Sequence, residues 1–137
     1  MRLSPGFVTS AIAFLIVSCA ASIVPECNKL TAVINKADPA TQTALTGKPA
    51  DLIFAADGLD QIMLELKAVE VKDKKLQSLR ASFVLMYGEL GQLFRNTATA
   101  ISKQDRGGVE SYLKSMKEAN LQDKVLVQQI NSYCAGK

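Results

Sequence analysis

The sequence predicts an all-α protein, an up-down-up-down bundle of four helices. Three observations lead to this fold class. Apolar residues recur at alternating spacings of three and four in the run 73–102, and again in 50–69. Such spacing keeps one apolar stripe of a helix against its neighbours along its whole length. The third observation is size, because 137 residues, less an N-terminal export segment, suffice for one domain with a single core.

A signal segment precedes the predicted bundle. The chain begins with Arg2, continues without charge through an apolar run, and reaches small residues at positions 18–21. This is the order of the n-, h- and c-regions of an export signal. The four residues Ile16-Val17-Ser18-Cys19 also resemble the lipobox of bacterial lipoproteins, whose cysteine is lipidated and becomes the mature N-terminus.

Three fates of this leader fit the sequence. Lipidation of Cys19 would anchor the protein to a membrane, whereas cleavage after Ala20 would release it as a soluble protein. Retention of residues 7–24 would leave an uncleaved anchor, since a short span needs roughly 18 residues. Lipidation is the leading interpretation, so we expect an exported protein on the periplasmic, lumenal or cell-surface side of a membrane. The resulting domains are a signal peptide with a lipobox (1–19), a short linker (20–26) and the four-helix bundle (27–137).

The two remaining cysteines, Cys27 and Cys134, lie at the extremes of the mature domain. In an up-down-up-down bundle the first helix starts where the last helix ends, so a bridge there is geometrically natural. Export favours the disulfide chemically. Neither cysteine belongs to a Cys-x-x-Cys motif that would tune thiol reactivity. The sequence therefore predicts a structural disulfide, with two free thiols as the alternative.

The first two helices flank a clear loop. The first helix is predicted to begin at Cys27. Pro39 removes a backbone donor and disfavours helical angles at Asp38, so we expect a kink, or a helix restarted with Asp38 as its N-cap. The segment Thr46-Gly47-Lys48-Pro49 combines a glycine helix stop with a proline just beyond it, and the second helix follows at about 50–69.

The connection between the second and third helices contains no Gly or Pro. A turn at residues 70–75 with Asp73 as the next N-cap is the favoured interpretation. A continuous helix is the alternative, because positions 69 and 76 are one heptad apart. The third helix, 73–102, has the strongest apolar repeat in the chain: Leu76, Leu79, Phe83, Met86, Leu90, Leu93, Thr97 and Ile101.

Two glycines interrupt this third helix. Gly88 and Gly91 each cost about 1 kcal/mol of helix propensity relative to Ala. Close approach of a neighbouring helix is the leading explanation. A functional pocket beside the glycines is the alternative, and its predicted lining is Phe83, Tyr87, Gly88, Gly91 and Phe94.

A turn at residues 104–108 precedes the fourth helix, which is predicted at 109–133. Asp123 falls on the apolar seam of this helix, and Asn120 lies beside it. We therefore expect the helix to break or loosen near residues 119–121. Leu121 and Val125 would then supply the local packing.

The composition excludes several kinds of chemistry. The chain has no His, which removes imidazole bases, Ser-His-Asp and Cys-His nucleophiles and His-ligated metal sites. A net charge of +3, spread along the chain, does not indicate nucleic-acid binding. Asp57 and Asp60 share one helix face and could act as paired carboxylates, but they fall between the apolar positions, as solvated residues do. We expect no metal site and no cofactor.

The residues also carry a resemblance. The export leader, Cys27-Asn28-Lys29-Leu30 followed by Val33-Ile34-Asn35, and Leu59-Asp60 through Lys72-Asp73-Lys74-Lys75-Leu76 resemble a group of small uncharacterised cyanobacterial envelope proteins. The likeness covers most of the mature chain and implies no activity. The general plan is also similar to that of the lipid-anchored four-helix subunits on the lumenal side of photosystem II, in architecture only.

These features lead to one expected function and two alternatives. The leading expectation is a non-enzymatic, exported and lipid-anchored bundle. It would act as a binding or accessory factor at a membrane surface, with the membrane and a protein as its partners. The first alternative is a small-molecule or pigment carrier that uses space within the bundle. The second is an enzyme acting through Asp57 and Asp60.

Overall fold

The computed structural model describes residues 22–136, and this part of the chain is all-α, as predicted. Residues 1–21, which include the predicted signal peptide and Cys19, lie outside the described residues, as does residue 137. The elements in order are α1 (Val24–Ile34), α2 (Ala37–Gln42), a 3₁₀ turn (Thr43–Thr46), α3 (Pro49–Ala68), α4 (Lys74–Ser102) and α5 (Arg106–Ala135).

The predicted first helix is two short helices. α1 ends at Ile34 and α2 begins at Ala37, so the chain restarts as a helix before Pro39. Pro39 thereby lies in the first turn of α2, where backbone N–H groups have no acceptor within the helix and its missing donor is not needed. The expected N-cap at Asp38 is wrong, because the N-cap is Lys36, which makes no side-chain capping bond.

The predicted loop after the first segment is present. Gly47 closes the 3₁₀ turn with a φ of 69°, in the left-handed region that favours glycine. Pro49 follows at the first position of α3, where its fixed φ suits a helix start. α2 and the 3₁₀ turn both pack against α3.

A turn separates α3 from α4, which excludes the continuous-helix alternative. The Asp73 carboxylate caps α4 by accepting a hydrogen bond from the Leu76 backbone N–H at 2.9 Å, as predicted. The Gln77 side-chain amide donates to the Val71 carbonyl at 2.8 Å. The backbone carbonyl of Val71 in the turn is thus hydrogen-bonded to a side chain of α4.

α4 is the central helix of the structure. It packs most extensively on α3, then on α5, and it also contacts α1. The largest fully buried side chains come from four helices, half of them from α4, and they are Leu30, Leu59, Leu66, Leu76, Phe83, Met86, Tyr87 and Ile130. The heptad pattern of the predicted third helix identifies the core correctly as far as Met86. Beyond it, Leu90, Leu93 and Ile101 are only partly buried, and the core shifts to Tyr87, Gly91, Phe94 and Ala98.

α5 is one unbroken helix, so the break expected near residues 119–121 is wrong. Leu121 and Val125 point outward, with more than half of each residue exposed, and Ala119 is buried instead. Asp123 requires no break because it is only half-buried, beside the hydroxyl of Tyr87 on α4.

α5 also begins earlier than predicted. The Asp105 carboxylate accepts a hydrogen bond from the Gly108 backbone N–H at 2.9 Å and so caps a helix that starts at Arg106. A Cβ atom on Gly108 would lie 2.4 Å from Asp105 Oδ2. The glycine is therefore needed for close approach of the capping side chain, not for a turn.

One end of the bundle is held by the predicted disulfide. Cys27 of α1 is bonded to Cys134 of α5, with 5.9 Å between their Cα atoms. The Glu26 carboxylate accepts hydrogen bonds from the backbone N–H groups of Lys72 and Asp73, each at 3.1 Å. Tyr133 donates from its hydroxyl to the Asp73 carboxylate at 3.0 Å. We call this region the stapled end, because it ties the start of α1, the α3–α4 turn and the end of α5 together.

Loss of the disulfide should destabilise the fold strongly. Cys27 and Cys134 are 107 positions apart. Their removal in the double variant Cys27→Ser/Cys134→Ser should lower the free energy of unfolding by about 4 kcal/mol, because the unfolded chain regains loop entropy. Urea denaturation followed by circular dichroism measures the change. Reduced wild-type protein is the control and should match the double variant; equal stability of oxidised and reduced protein would contradict the structural role.

Candidate functional site

An apolar cleft of about 570 Å³ opens between the α2–3₁₀ segment and α5, with α4 as its floor. Its apolar lining comes from all of these elements and from α3: Ala44, Leu45, Leu52, Leu90, Phe94, Leu113 and Met116. Leu45 is 85% exposed and Leu113 is 54% exposed. We call this space the apolar cleft. Its volume is in the usual range for small-molecule sites.

The cleft is open because the segments on its two sides pack against different helices. α2 and the 3₁₀ turn pack on α3, whereas α5 packs mainly on α4. α1 contacts α5, but α1 ends after 11 residues. Among the described residues of α5, the first buried one is Ala119. The first half of α5 is therefore covered on its α4 side only, and the cleft lies beside it.

A second, more polar cleft of about 530 Å³ continues from the first toward the stapled end. Its polar lining is Asn35, Asp38, Asn120, Asp123, Lys124, Gln128, Asn131 and Ser132. Asp38, Tyr87, Asn120 and Asp123 line both clefts, so the two spaces meet at these four residues. We call them the junction, and the two clefts together the groove.

The junction couples one buried hydroxyl to two carboxylates. Tyr87 is 2% exposed, and its burial, followed by the nearby charges of Asp123 and Asp38, raises the pKa of its hydroxyl. The hydroxyl therefore stays neutral, and it lies beside the Asp123 carboxylate. Burial also raises the pKa of Asp123, and the negative charge of Asp38 adds to this rise, while the hydroxyl of Tyr87 opposes it. The two carboxylates are thus close enough to repel each other.

No ion pair in residues 22–136 neutralises these two carboxylates. The ion pairs found there join Lys36 to Glu65 and Arg95 to Asp57 and Asp60. Lys117 lines the apolar cleft and Lys124 lines the polar cleft, but both side chains are exposed. The junction consequently carries negative charge beside an apolar surface.

The structure brings only part of the predicted pocket lining to this groove. Tyr87 and Phe94 line the apolar cleft. Phe83 is fully buried in the core, with its ring centroid 5.8 Å from that of Tyr87. Gly88 and Gly91 line neither cleft. The concavity therefore lies on the face of α4 that carries Tyr87, Leu90 and Phe94, not beside the two glycines.

The two glycines face α3. A Cβ atom at Gly88 would lie 3.3 Å from Met63 Sδ, and one at Gly91 would lie 3.7 Å from the carbonyl oxygen of Ala56. The short distance at Gly88 agrees with the close helix approach that the sequence suggested. At Gly91 the contact is ordinary van der Waals spacing, so a methyl group fits there and close approach does not require this glycine.

The paired carboxylates considered for an enzyme are held by a cation. Arg95 Nη2 lies 2.8 Å from Asp57 and 2.6 Å from Asp60. Neither aspartate lines the apolar cleft or the polar cleft. Within residues 22–136 no group of His, Cys, Asp or Glu is arranged to hold a metal ion. The helices of the same part of the chain include none that is both long and apolar enough to cross a membrane.

Comparison of the chain with protein-family models, curated proteins and solved structures finds no match. Functional interpretation therefore starts from the groove and its junction. Sequence reasoning missed Asp38 and Asn120 as site residues. It did single out Asp123, because a carboxylate on an apolar seam is unusual, but interpreted it as a helix defect. The same signal, treated as a charge that needs a partner, would have pointed to the groove.

Substitution at Gly91 tests whether the glycines are scaffold. Gly91→Ala should raise the free energy of unfolding by up to about 1 kcal/mol, because alanine favours the helix and its methyl group meets no clash. Gly91→Leu should lower it by about 1 to 3 kcal/mol, since the larger side chain would push against α3. Urea denaturation of both variants gives the two values. A destabilising Gly91→Ala would contradict the van der Waals spacing between Gly91 and α3.

Proposed function

We propose that this chain is a non-enzymatic, exported binding or accessory protein, held at the outer face of a membrane by a lipid on Cys19. The Cys27–Cys134 disulfide is the observation that carries the proposal. Structural disulfides persist in oxidising, extracytoplasmic compartments. The leader in residues 1–19 supplies the route to such a compartment.

The position of the stapled end supports this arrangement. The described chain begins at Ser22, next to the disulfide, and Cys19 is three residues earlier. Three extended residues span at most about 10 Å, so an anchor at Cys19 would hold the stapled end against the membrane. The exposed side chains of Lys72, Lys74 and Lys75 would then face the lipid headgroups.

The same anchor would leave the apolar cleft away from the membrane. α4 starts at the stapled end, and Phe94 of the cleft lies 21 residues beyond Asp73. At 1.5 Å per residue this separation is about 30 Å along the helix axis. The apolar cleft would thus open to the compartment and to any soluble ligand or partner there.

Lipidation at Cys19 can be tested directly. Cells that express the full chain are labelled with radioactive palmitate, and the protein is captured and counted. Wild-type protein should incorporate label and the Cys19→Ala variant should not, because the thiol of Cys19 is the acceptor. Cys134→Ser is the matched control, since it also loses one thiol but should keep the label. Equal labelling of wild type and Cys19→Ala would remove the lipoprotein proposal.

A second candidate function is a small-molecule or pigment carrier, and the groove favours it. A surface cleft of about 570 Å³ with exposed Leu45 and Leu113 on its walls leaves apolar area in water unless a ligand covers it. In this candidate the ligand lies in a groove at the side of the bundle rather than within the core.

The carrier function predicts a ligand that travels with the protein. Protein purified from its native source should show a bound small molecule by native mass spectrometry or absorbance. The Leu45→Gln/Leu113→Gln variant should lose it, because the walls of the apolar cleft become polar. Leu64→Gln/Leu85→Gln changes two exposed leucines outside both clefts and is the matched control. Ligand-free wild-type protein would count against the carrier.

A further inference from the structure

The groove has a chemical division along its length. The apolar cleft is lined by leucines, Phe94 and Met116, whereas the polar cleft is lined by amides, hydroxyls and charged groups. The junction separates the two. A ligand that fills such a groove has an apolar part on one side and a polar head on the other.

The negative charge at the junction favours a polar head that carries a positive charge. Asp38 and Asp123 come from α2 and α5, on opposite walls, and line both clefts. The hydroxyl of Tyr87 lies beside Asp123, and both carboxylates keep lone pairs for a donor from outside. A cation between the two walls would offset their mutual repulsion, and this effect is strongest next to apolar groups that exclude water.

The two lysines of the groove do not supply this cation. Lys117 and Lys124 are exposed, and neither forms an ion pair within the described residues. The neighbouring charge that acts on Asp123 is that of Asp38, another carboxylate. The overall charge of the chain is +3, so an attraction for cations at this point would be local and not a property of the whole molecule.

We propose that the groove binds one small cationic amphiphile, with its apolar chain or ring in the apolar cleft and its ammonium group between Asp38 and Asp123. The inference rests on the carrier function proposed above and names its ligand class. Leu45 and Leu113 cover the apolar part, and the hydroxyl of Tyr87 lies beside the Asp123 carboxylate.

Three probes with the same decyl chain test the proposal: decylammonium, decyl sulfate and uncharged decyl glucoside. Each is titrated below its critical micelle concentration into the purified, oxidised protein at low salt, by calorimetry and by displacement of Nile red. The cationic probe should bind with one-to-one stoichiometry and about tenfold more tightly than the anionic probe, a difference that is readily measured.

Two variants separate a local charge effect from a general one. Asp38→Asn/Asp123→Asn should abolish the preference for the cation while keeping the binding of the uncharged probe. Glu89→Gln/Glu118→Gln removes the same net charge from exposed positions outside both clefts, and should keep the preference. Circular dichroism and the urea midpoint verify that each variant is folded.

The possible results lead to different conclusions. Equal binding of all three probes to wild-type protein would overturn the cationic head and leave the carrier function standing. A preference that survives Asp38→Asn/Asp123→Asn would also overturn it, because the charge would then lie elsewhere. Absence of binding for every probe would overturn both the ligand class and the use of the apolar cleft. Lipidation of Cys19 is independent of each outcome.

Discussion

The Cys27–Cys134 disulfide and the polar contacts beside it are the constraint on which the rest of the structure depends. The bond fixes the start of α1 against the end of α5. Glu26 of α1 accepts hydrogen bonds from the backbone of the α3–α4 turn, and Tyr133 of α5 donates one to the Asp73 side chain in that turn. Both helices are therefore tied to the turn. Because α4 begins at that turn, the longest apolar stripe in the chain starts from the best-fixed end of the bundle. Among residues 22–136, no disulfide lies at the far end of the bundle.

The groove follows from this asymmetry together with the break in the first segment. α1 is too short to cover the whole length of α5. After α1, the chain changes direction, and α2 and the 3₁₀ turn pack on α3 instead. A first helix as long as the others would cover the face of α4 that carries Tyr87 and Phe94. Pro39, whose place in a first helical turn suits the restart of α2, is thus a local cause of an open cleft.

Local patterns predicted the parts of the fold that local physics determines. The first part of the α4 stripe, the Asp73 cap and the bridge between the terminal cysteines depend on spacing and chain order, and all three are present. The break in α5 was wrong because helix periodicity cannot show that Asp123 would lie half-buried beside Tyr87, 36 positions earlier in the chain. Gly108 was assigned to a turn because its role, room for the Asp105 side chain, depends on a contact.

The site was less predictable than the fold for a related reason. Tyr87 and Phe94 were found because they are aromatic residues on the helix that carries the two glycines. Asp38 and Asn120 belong to segments whose meeting depends on where α1 stops following α5, which no single segment encodes. Periodicity identifies the residues on the apolar face of a helix, but it does not show whether a neighbouring helix covers that face.

The central claim is that α5 is fixed at its stapled end and open on one side along its first half. Amide hydrogen exchange along α5 tests this most directly, because local opening is easiest where fewest neighbours cover a helix. Residues 124–134 should exchange more slowly than residues 109–120 in oxidised protein. Equal protection along α5, or faster exchange at 124–134, would contradict the account.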